Sequence, residues 1–273
     1  MDVKDAFVRY HIFVLGAGGT GSFFLKEFSR YAASLSSEQK RHIGKMVIVD
    51  GDSVEEKNLS RQAFQSEDVG RNKAVVLAEA LNEVFGTSWL PYERYISNKT
   101  DLAEIMLDIP KWSPYANGTY IASEKLIDVA LIIGCVDNHA CRKVVETIFN
   151  CSPKNNVYYT SNMFYYDSAN EVVSGQCVFA HKFNGKMVSP CRSVYFPEIF
   201  KGELKNRSDM SCTELNSVKP QHIFTNMAAG LQLLEGVSRL FENEKPLLGF
   251  SSFIANELHN EFISWEEFQK FRK

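Results

Sequence analysis

The run Gly16-Ala17-Gly18-Gly19-Thr20-Gly21 lies between an apolar stretch, Tyr10 to Leu15, and a helical pattern from Thr20 to Ala33. A glycine turn that ends a strand and opens a helix exposes backbone N–H groups at the positive helix end, where phosphate binds. The bland alternative is a tight turn without a ligand. Asp50 closes a second short apolar run, Met46 to Val49, and stands 29 residues beyond Gly21. Dinucleotide folds place such an acid about 20 residues on, and the polar stretch Ser34 to Arg41 accounts for the excess. At a strand's carboxyl end Asp50 reaches a ribose hydroxyl, or it caps a turn. Asp137 follows the all-apolar run Val129 to Ile133, again at the carboxyl edge where α/β sites lie.

The elements that must carry these residues alternate through the first 150 positions. Strands are expected at Tyr10–Leu15, Met46–Val49, Tyr92–Ile96 and Val129–Ile133. Helices are expected at Thr20–Ala33, Gly70–Phe85, Thr100–Asp108, with Thr100 or Asp101 as N-cap, and Asp137–Phe149. Such alternation predicts a doubly wound parallel sheet. The second half differs. Asn156–Ser161 and Val172–Ala180 read as strands with no helix between them, and residues 184–219 read as a long irregular loop. An amphipathic helix follows, with Phe224, Met227, Leu231, Leu234, Val237 and Phe241 as its apolar stripe. Leu248 to Ser264 reads as a hairpin and Trp265 to Lys273 as a charged end. The expected division is a nucleotide-binding half (1–150), a substrate half with the loop (151–247) and a hairpin tail (248–273).

From Asp50 the chain reads Asp-Gly-Asp-Ser-Val-Glu-Glu-Lys-Asn-Leu-Ser-Arg-Gln, ending at Gln62, and then Asp68-Val-Gly-Arg-Asn-Lys-Ala, ending at Ala74. With the glycine run, this string resembles the ThiF/MoeB/HesA group and the ubiquitin-activating enzymes. The resemblance implies a Rossmann-like α/β fold and ATP-dependent adenylation. Residues matching Asp50, Asp52, Asn58, Arg61, Gln62 and Lys73, with the glycines, would line the ATP site. Such chemistry needs cations where negative charge develops as pyrophosphate leaves. Arg61 offers a planar fork and Lys73 a point charge. The segment Leu131 to Asn138 resembles the family's second signature, with Arg142 on the next helix turn. There Asp137, beside Asn138, would hold Mg2+ on the phosphates; its other reading is the N-cap of its helix.

The resemblance also implies two fates for the adenylate: direct transfer, or attack by a cysteine to give a thioester. Cys212, in a polar stretch before Pro220 and the long helix, resembles the nucleophile of the thioester-forming members, or is an unreactive loop thiol. Cys191 is its rival because Arg192 adjoins it. Cys135, Cys141 and Cys177 read as packing residues. No C-x-x-C pair occurs, so no structural zinc is expected. His222 is the histidine placed nearest Cys212, and also reads as a helix-end surface residue. The late segment resembles ThiF-like proteins of bacterial PRTRC gene systems, which implies a small ubiquitin-like partner with a flexible C-terminal tail. Family members of this size imply a homodimer, with Arg9 as a candidate trans-supplied cation.

Composition limits the alternatives. A formal charge of −3 over 273 residues leaves no polybasic surface for nucleic acid. No apolar run approaches the roughly 20 residues of a membrane helix, and the sparse cysteines fit a cytoplasmic protein. An NAD-dependent oxidoreductase is permitted by the glycine run and Asp50, but has no use for Arg61, Lys73 and Asp137 together. A noncatalytic nucleotide-binding scaffold, or activation of a small molecule or tRNA base, completes the set of readings.

Overall fold

The computed structural model describes residues 6–60, 62–106, 125–151, 161–201 and 221–271. Within them one mixed sheet runs in the order β3-β2-β1-β4-β5-β6-β8-β9, with β7 paired to β6. The strands are β1 (Ala6–Leu15), β2 (Ile43–Val49), β3 (Trp89–Tyr92), β4 (Lys125–Gly134), β5 (Met163–Asn170), β6 (Ser174–Phe183), β7 (Lys186–Ser189), β8 (Gly249–Ile254) and β9 (His259–Ser264). The first five are parallel, and β6 to β9 pair antiparallel. This is the expected Rossmann-like α/β architecture.

The helices are α1 (Gly19–Ser34), α2 (Ser37–Lys40), α3 (Lys73–Phe85), α4 (Lys99–Met106), α5 (His139–Phe149), α6 (Arg192–Tyr195), α7 (Ile223–Phe241) and α8 (Trp265–Phe271). Continuous apolar strands follow from cover on both faces. Ile12 and Val14 of β1 join Phe24, Phe28, Leu77 and Val237 in one core. Phe13 and Leu15 join Leu102, Ile105 and Val145 in the other. Thus α1, α3 and α7 cover one face of the sheet and α4 and α5 the opposite one.

Several local expectations shift. The edge strand lies at Trp89–Tyr92 rather than Tyr92–Ile96, because Trp89 is the buried anchor and its indole N–H donates to Ser29 Oγ at 2.8 Å. Pro91 is tolerated there on an edge strand. The α4 cap is Asn98, whose Oδ1 accepts from Thr100 N (2.8 Å) and Asp101 N (3.2 Å), and Asp101 returns a bond to the Asn98 N–H at 3.0 Å. Strand β5 lies between the two strands read in that region; its tyrosines and Asp167 hide a fully buried run from period-two reading. Residues 156–160 of the expected Asn156–Ser161 strand lie outside the described residues. The expected irregular loop carries β7, α6 and a 3-10 turn at Pro197–Phe200 before residues 202–220, which also lie outside. The charged end folds as α8, with Trp265 and Phe268 packed against Phe250.

The largest correction concerns α7. Phe224 is 66% exposed, Leu231 56% and Met227 39%, whereas Thr225, Asn226, Ala229, Gly230, Leu233, Gly236 and Val237 face inward. Small residues win that face because α7 lies tightly on α1 and the sheet. A Cβ at Gly236 would stand 2.5 Å from the Phe179 ring, and one at Gly230 would stand 3.3 Å from the Phe24 backbone nitrogen.

His181 of β6 is buried between Tyr166, whose hydroxyl pairs with Nε2 at 2.9 Å, and Phe164, stacked at 4.0 Å. Burial pulls its pKa down to about 3.

Two tests follow from this packing. Gly236→Val is expected to cost about 1–3 kcal/mol by overpacking, whereas Phe224→Ser stays within about 0.5 kcal/mol; urea unfolding compares them. Below its ordinary pKa of 6.5 a histidine takes a proton in the unfolded chain, while native His181 stays neutral to about 3. Its contribution to stability is therefore full above that ordinary pKa and declines as pH falls. At about pH 4.5 the loss is about 2–3 kcal/mol, and His181→Gln should flatten this part of the pH profile of the urea midpoint.

Candidate active site

A cleft of about 510 Å3 opens at the carboxyl ends of β1, β2 and β4 and extends over β5 and β6. The glycine turn forms one wall. Gly16 holds φ at +93°, and a Cβ there would stand 2.7 Å from the Cys135 carbonyl oxygen. A Cβ on Gly21 would strike the Gly16 carbonyl, and one on Gly19 would strike the Asn226 carboxamide of α7. Among the described residues no side chain caps the first turn of α1, which leaves its backbone N–H groups to an acceptor from the cleft. A Cβ on Gly18 would stand 3.8 Å from Gln62 Nε2.

Asp50 braces this turn. Its carboxylate accepts from Ala17 N at 2.6 Å and from Asp52 N at 2.8 Å. Burial pushes the carboxyl up, Lys73 opposes that rise, and Asp52 adds to it. Asp50 thus lines the cleft while tying the end of β2 to the glycine turn.

Lys73 opens α3 and is buried, with Nζ 3.1 Å from Asp52 Oδ2. The Tyr95 hydroxyl donates to the other Asp52 oxygen. Asn72, which the sequence reading overlooked, positions the lysine. Its Oδ1 accepts from Ala74 N (2.8 Å) and Val75 N (3.3 Å), and its Nδ2 donates to the carbonyls of Asp50 (3.0 Å) and Asp52 (3.2 Å). An asparagine directly before a helical pattern is the signal that marks it. Asn58 is buried and its Oδ1 accepts from Glu55 N at 2.9 Å, which shapes the turn leading to Gln62. Gln62 Oε1 is buried with no partner among the described residues. Arg61 lies outside the described residues.

At the end of β4 the cap of α5 is Asn138, whose Oδ1 accepts from Cys141 N at 2.8 Å. The capping alternative for Asp137 therefore falls, and Asp137 lines the cleft. Arg142 reaches beneath the cleft. Its Nε donates to Asp167 Oδ1 at 3.1 Å, and Nη2 donates to the carbonyls of Val136 (2.5 Å) and Ser168 (2.7 Å). Arg192 donates to the second Asp167 oxygen, to the Asp167 carbonyl (2.8 Å) and to the Gln176 carbonyl (3.1 Å). Burial alone would raise the Asp167 carboxyl; Arg192 and Arg142 outweigh it and hold it below the ordinary range. Sequence reading missed Asp167 and Arg192 in this role because their partners are distant in the chain.

That cluster corrects the reading of Cys191. Arg192 is spent on Asp167, and Cys191 is buried, its thiol pushed well up by burial and then by Glu146 and Asp167. It has the character of a packing residue, not an accessible thiolate. Cys141 and Cys177 are buried, and Cys135 lines the cleft with its thiol raised by burial. Cys212 lies outside the described residues. His222 precedes α7 and is exposed. Arg9, the candidate trans-supplied cation, sits six residues before the end of β1 and pairs with Asp128 of β4 at 3.1 Å. Among the described residues no group of three or more His, Cys, Asp or Glu could hold a metal ion, and no helix is long and apolar enough to cross a membrane.

The family model described as ThiF family matches residues 2–273. The chain belongs to the ThiF family. It is 41% identical over 73 residues to the human ubiquitin-like modifier-activating enzyme 7, covering 26% of this chain and 7% of that one. It is 26% identical over 137 residues to ubiquitin-like modifier-activating enzyme 5 of Aedes aegypti, covering 50% and 30% respectively. The chain spans under a third of the length of these curated relatives. Among solved structures it resembles PaaA, with TM-score 0.60 and 13% identity over 94% of this chain and 72% of that one. It also resembles E. coli MccB with ATP, with TM-score 0.56 and 19% identity over 93% and 63%. At these identities the structures bear on the fold alone.

The Arg142–Asp167–Arg192 cluster yields a direct test. Asp167→Asn would leave two buried guanidiniums without their counter-charge, at an expected cost of about 3–5 kcal/mol. The urea midpoint at neutral pH reads that loss, and an unchanged midpoint would show that the cluster carries no such weight.

Proposed function

We propose that this chain is an ATP-dependent adenylating enzyme acting on the C-terminal carboxylate of a small ubiquitin-like protein or peptide. The observation that carries the reading is convergence on one cleft. The glycine turn, Gln62, whose oxygen has no partner among the described residues, Lys73 and Asp137 come from three different strand–helix connections and line the same cavity. The cradle fits a nucleotide: uncapped N–H groups take phosphate oxygens, and a buried acceptor at Gln62 asks for a donor. The family match supports the same chemistry.

In this reading the triphosphate lies along the glycine turn with Lys73 as its cation, Arg61 adding a fork from the preceding connection. Lys73 is already paired with Asp52, which fixes its position before the phosphates arrive. The tail carboxylate approaches from the β5 and β6 side and attacks the α-phosphorus. A new carboxyl-oxygen-to-phosphorus bond forms, the bond to the pyrophosphate oxygen breaks, and pyrophosphate leaves with that electron pair. Asp137, with Asn138 securing the helix behind it, is the residue to hold Mg2+, which supplies positive charge against the phosphates. If a thioester follows, the Cys212 thiolate attacks the acyl carbon and AMP departs. A soluble partner of the ubiquitin-like class, and a second copy of the chain, belong to the same proposal. The NAD reading is disfavoured by the Asp52–Lys73 pair and Asp137 in a single cleft.

Exchange of labelled pyrophosphate into ATP, with MgATP and a panel of ubiquitin-like proteins and peptides, tests the reading. Asp137→Asn should lower exchange by about 100-fold or more, and calorimetry should show ATP bound in preference to NAD. Cys212→Ala should leave exchange intact while removing any thiol-labile adduct. Exchange absent with every panel member would overturn the proposal.

A further inference from the structure

We infer that Asn170 reads the main chain of the substrate tail, its side-chain oxygen accepting one peptide N–H and so setting the carboxylate against the nucleotide half of the cleft. This rests on, and deepens, the adenylation reading. Asn170 ends β5 and lines the cleft. Its Nδ2 donates to Thr20 Oγ1 at 2.7 Å, on the first turn of α1. Thr20 passes its single hydroxyl proton to Asn226 Oδ1 at 3.3 Å and accepts from Asn170 Nδ2. Gln221 Nε2 holds the Asn170 carbonyl at 2.9 Å.

The fixed carboxamide leaves Asn170 Oδ1 buried without a partner among the described residues. Buried polar atoms are normally paired, and the exceptions ask for an explanation. The oxygen turns toward Gly175 at the start of β6, where a Cβ would stand 2.7 Å from it. Ser168, Ala169, Ser174 and Gly175 line this part of the cleft. A phosphate or carboxylate oxygen is itself an acceptor and cannot satisfy Oδ1, whereas a peptide N–H can. Asn170 is therefore a positioning residue, anchored to the helix that begins at the glycine turn, so tail and triphosphate are registered against the same helix turn.

The experiment uses the full chain and pyrophosphate exchange with synthetic nonapeptides ending in Gly-Gly, Gly or Asn. A peptide used by the wild type is then N-methylated in turn at its last three peptide nitrogens. One methylation should raise the tail KM roughly tenfold in the wild type and have no further effect in Asn170→Ala, while the ATP KM of that variant stays within about twofold. Asn170→Ala should itself raise the tail KM by a similar factor, and circular dichroism at the assay temperature checks that it folds. Additive effects of methylation and mutation, or an unchanged tail KM in Asn170→Ala, would overturn the assignment while leaving adenylation standing. No exchange with any peptide or ubiquitin-like protein in the wild type would overturn both.

Discussion

Asp167 receives two guanidiniums, Arg142 from α5 and Arg192 from the start of α6, inside a region closed to solvent. A carboxylate buried in this way is tolerable only with its charge balanced and its lone pairs filled. Satisfying it draws together the last parallel strand, the helix after β4 and the segment that follows β7. The two arginines also donate to the Val136, Ser168 and Gln176 carbonyls, so the ends of β4, β5 and β6 share one polar floor. The cleft lies directly above it. The parallel half and the antiparallel half thus meet through charge rather than through apolar contact alone, and the position of Asp137 and of the β5 end depends on that floor.

The nucleotide side is built by a second set of constraints, made of backbone rather than charge. Gly16 and Gly21 allow the turn and the helix to close on the strands, and Asp50 holds the turn by its Ala17 N–H. Asn72 then links α3 to the residues after β2, which brings Lys73 to Asp52. Positioning here is the work of residues that need never touch a nucleotide. Asn226 extends the same logic from the far end of the chain: α7 leans on Gly19 and Thr20, so the substrate half presses on the phosphate turn itself.

Legibility in the sequence followed the locality of the physics. The glycine turn, the Asp50-to-Ala74 string and the buried run before Gly134 are local patterns, and each lies where the pattern put it. Strand β5 was missed because its burial comes from neighbours on both sides, not from alternation along its own length. Of the stripe read as the buried face of α7, Val237 and Phe241 are buried, but Phe224, Met227 and Leu231 are exposed, because hydrophobic periodicity cannot tell which side will meet a glycine-lined helix contact. Cys191 beside Arg192 suggested a reactive thiol, yet the arginine turns to a carboxylate 25 residues earlier in the chain.

The sequence by itself determined the family, the α/β class and the phosphate-binding turn, since strand, glycine turn and helix follow from contiguous residues and backbone sterics. Only the tertiary structure decided which partners these groups take. Asn138 took the cap while Asp137 lines the cleft, Asp167 claimed both arginines, and the Asn170 and Gln62 oxygens have no partner among the described residues. The reason is that a hydrogen bond or ion pair between distant residues is settled by geometry and burial, and neither is written in the spacing of residues along the chain.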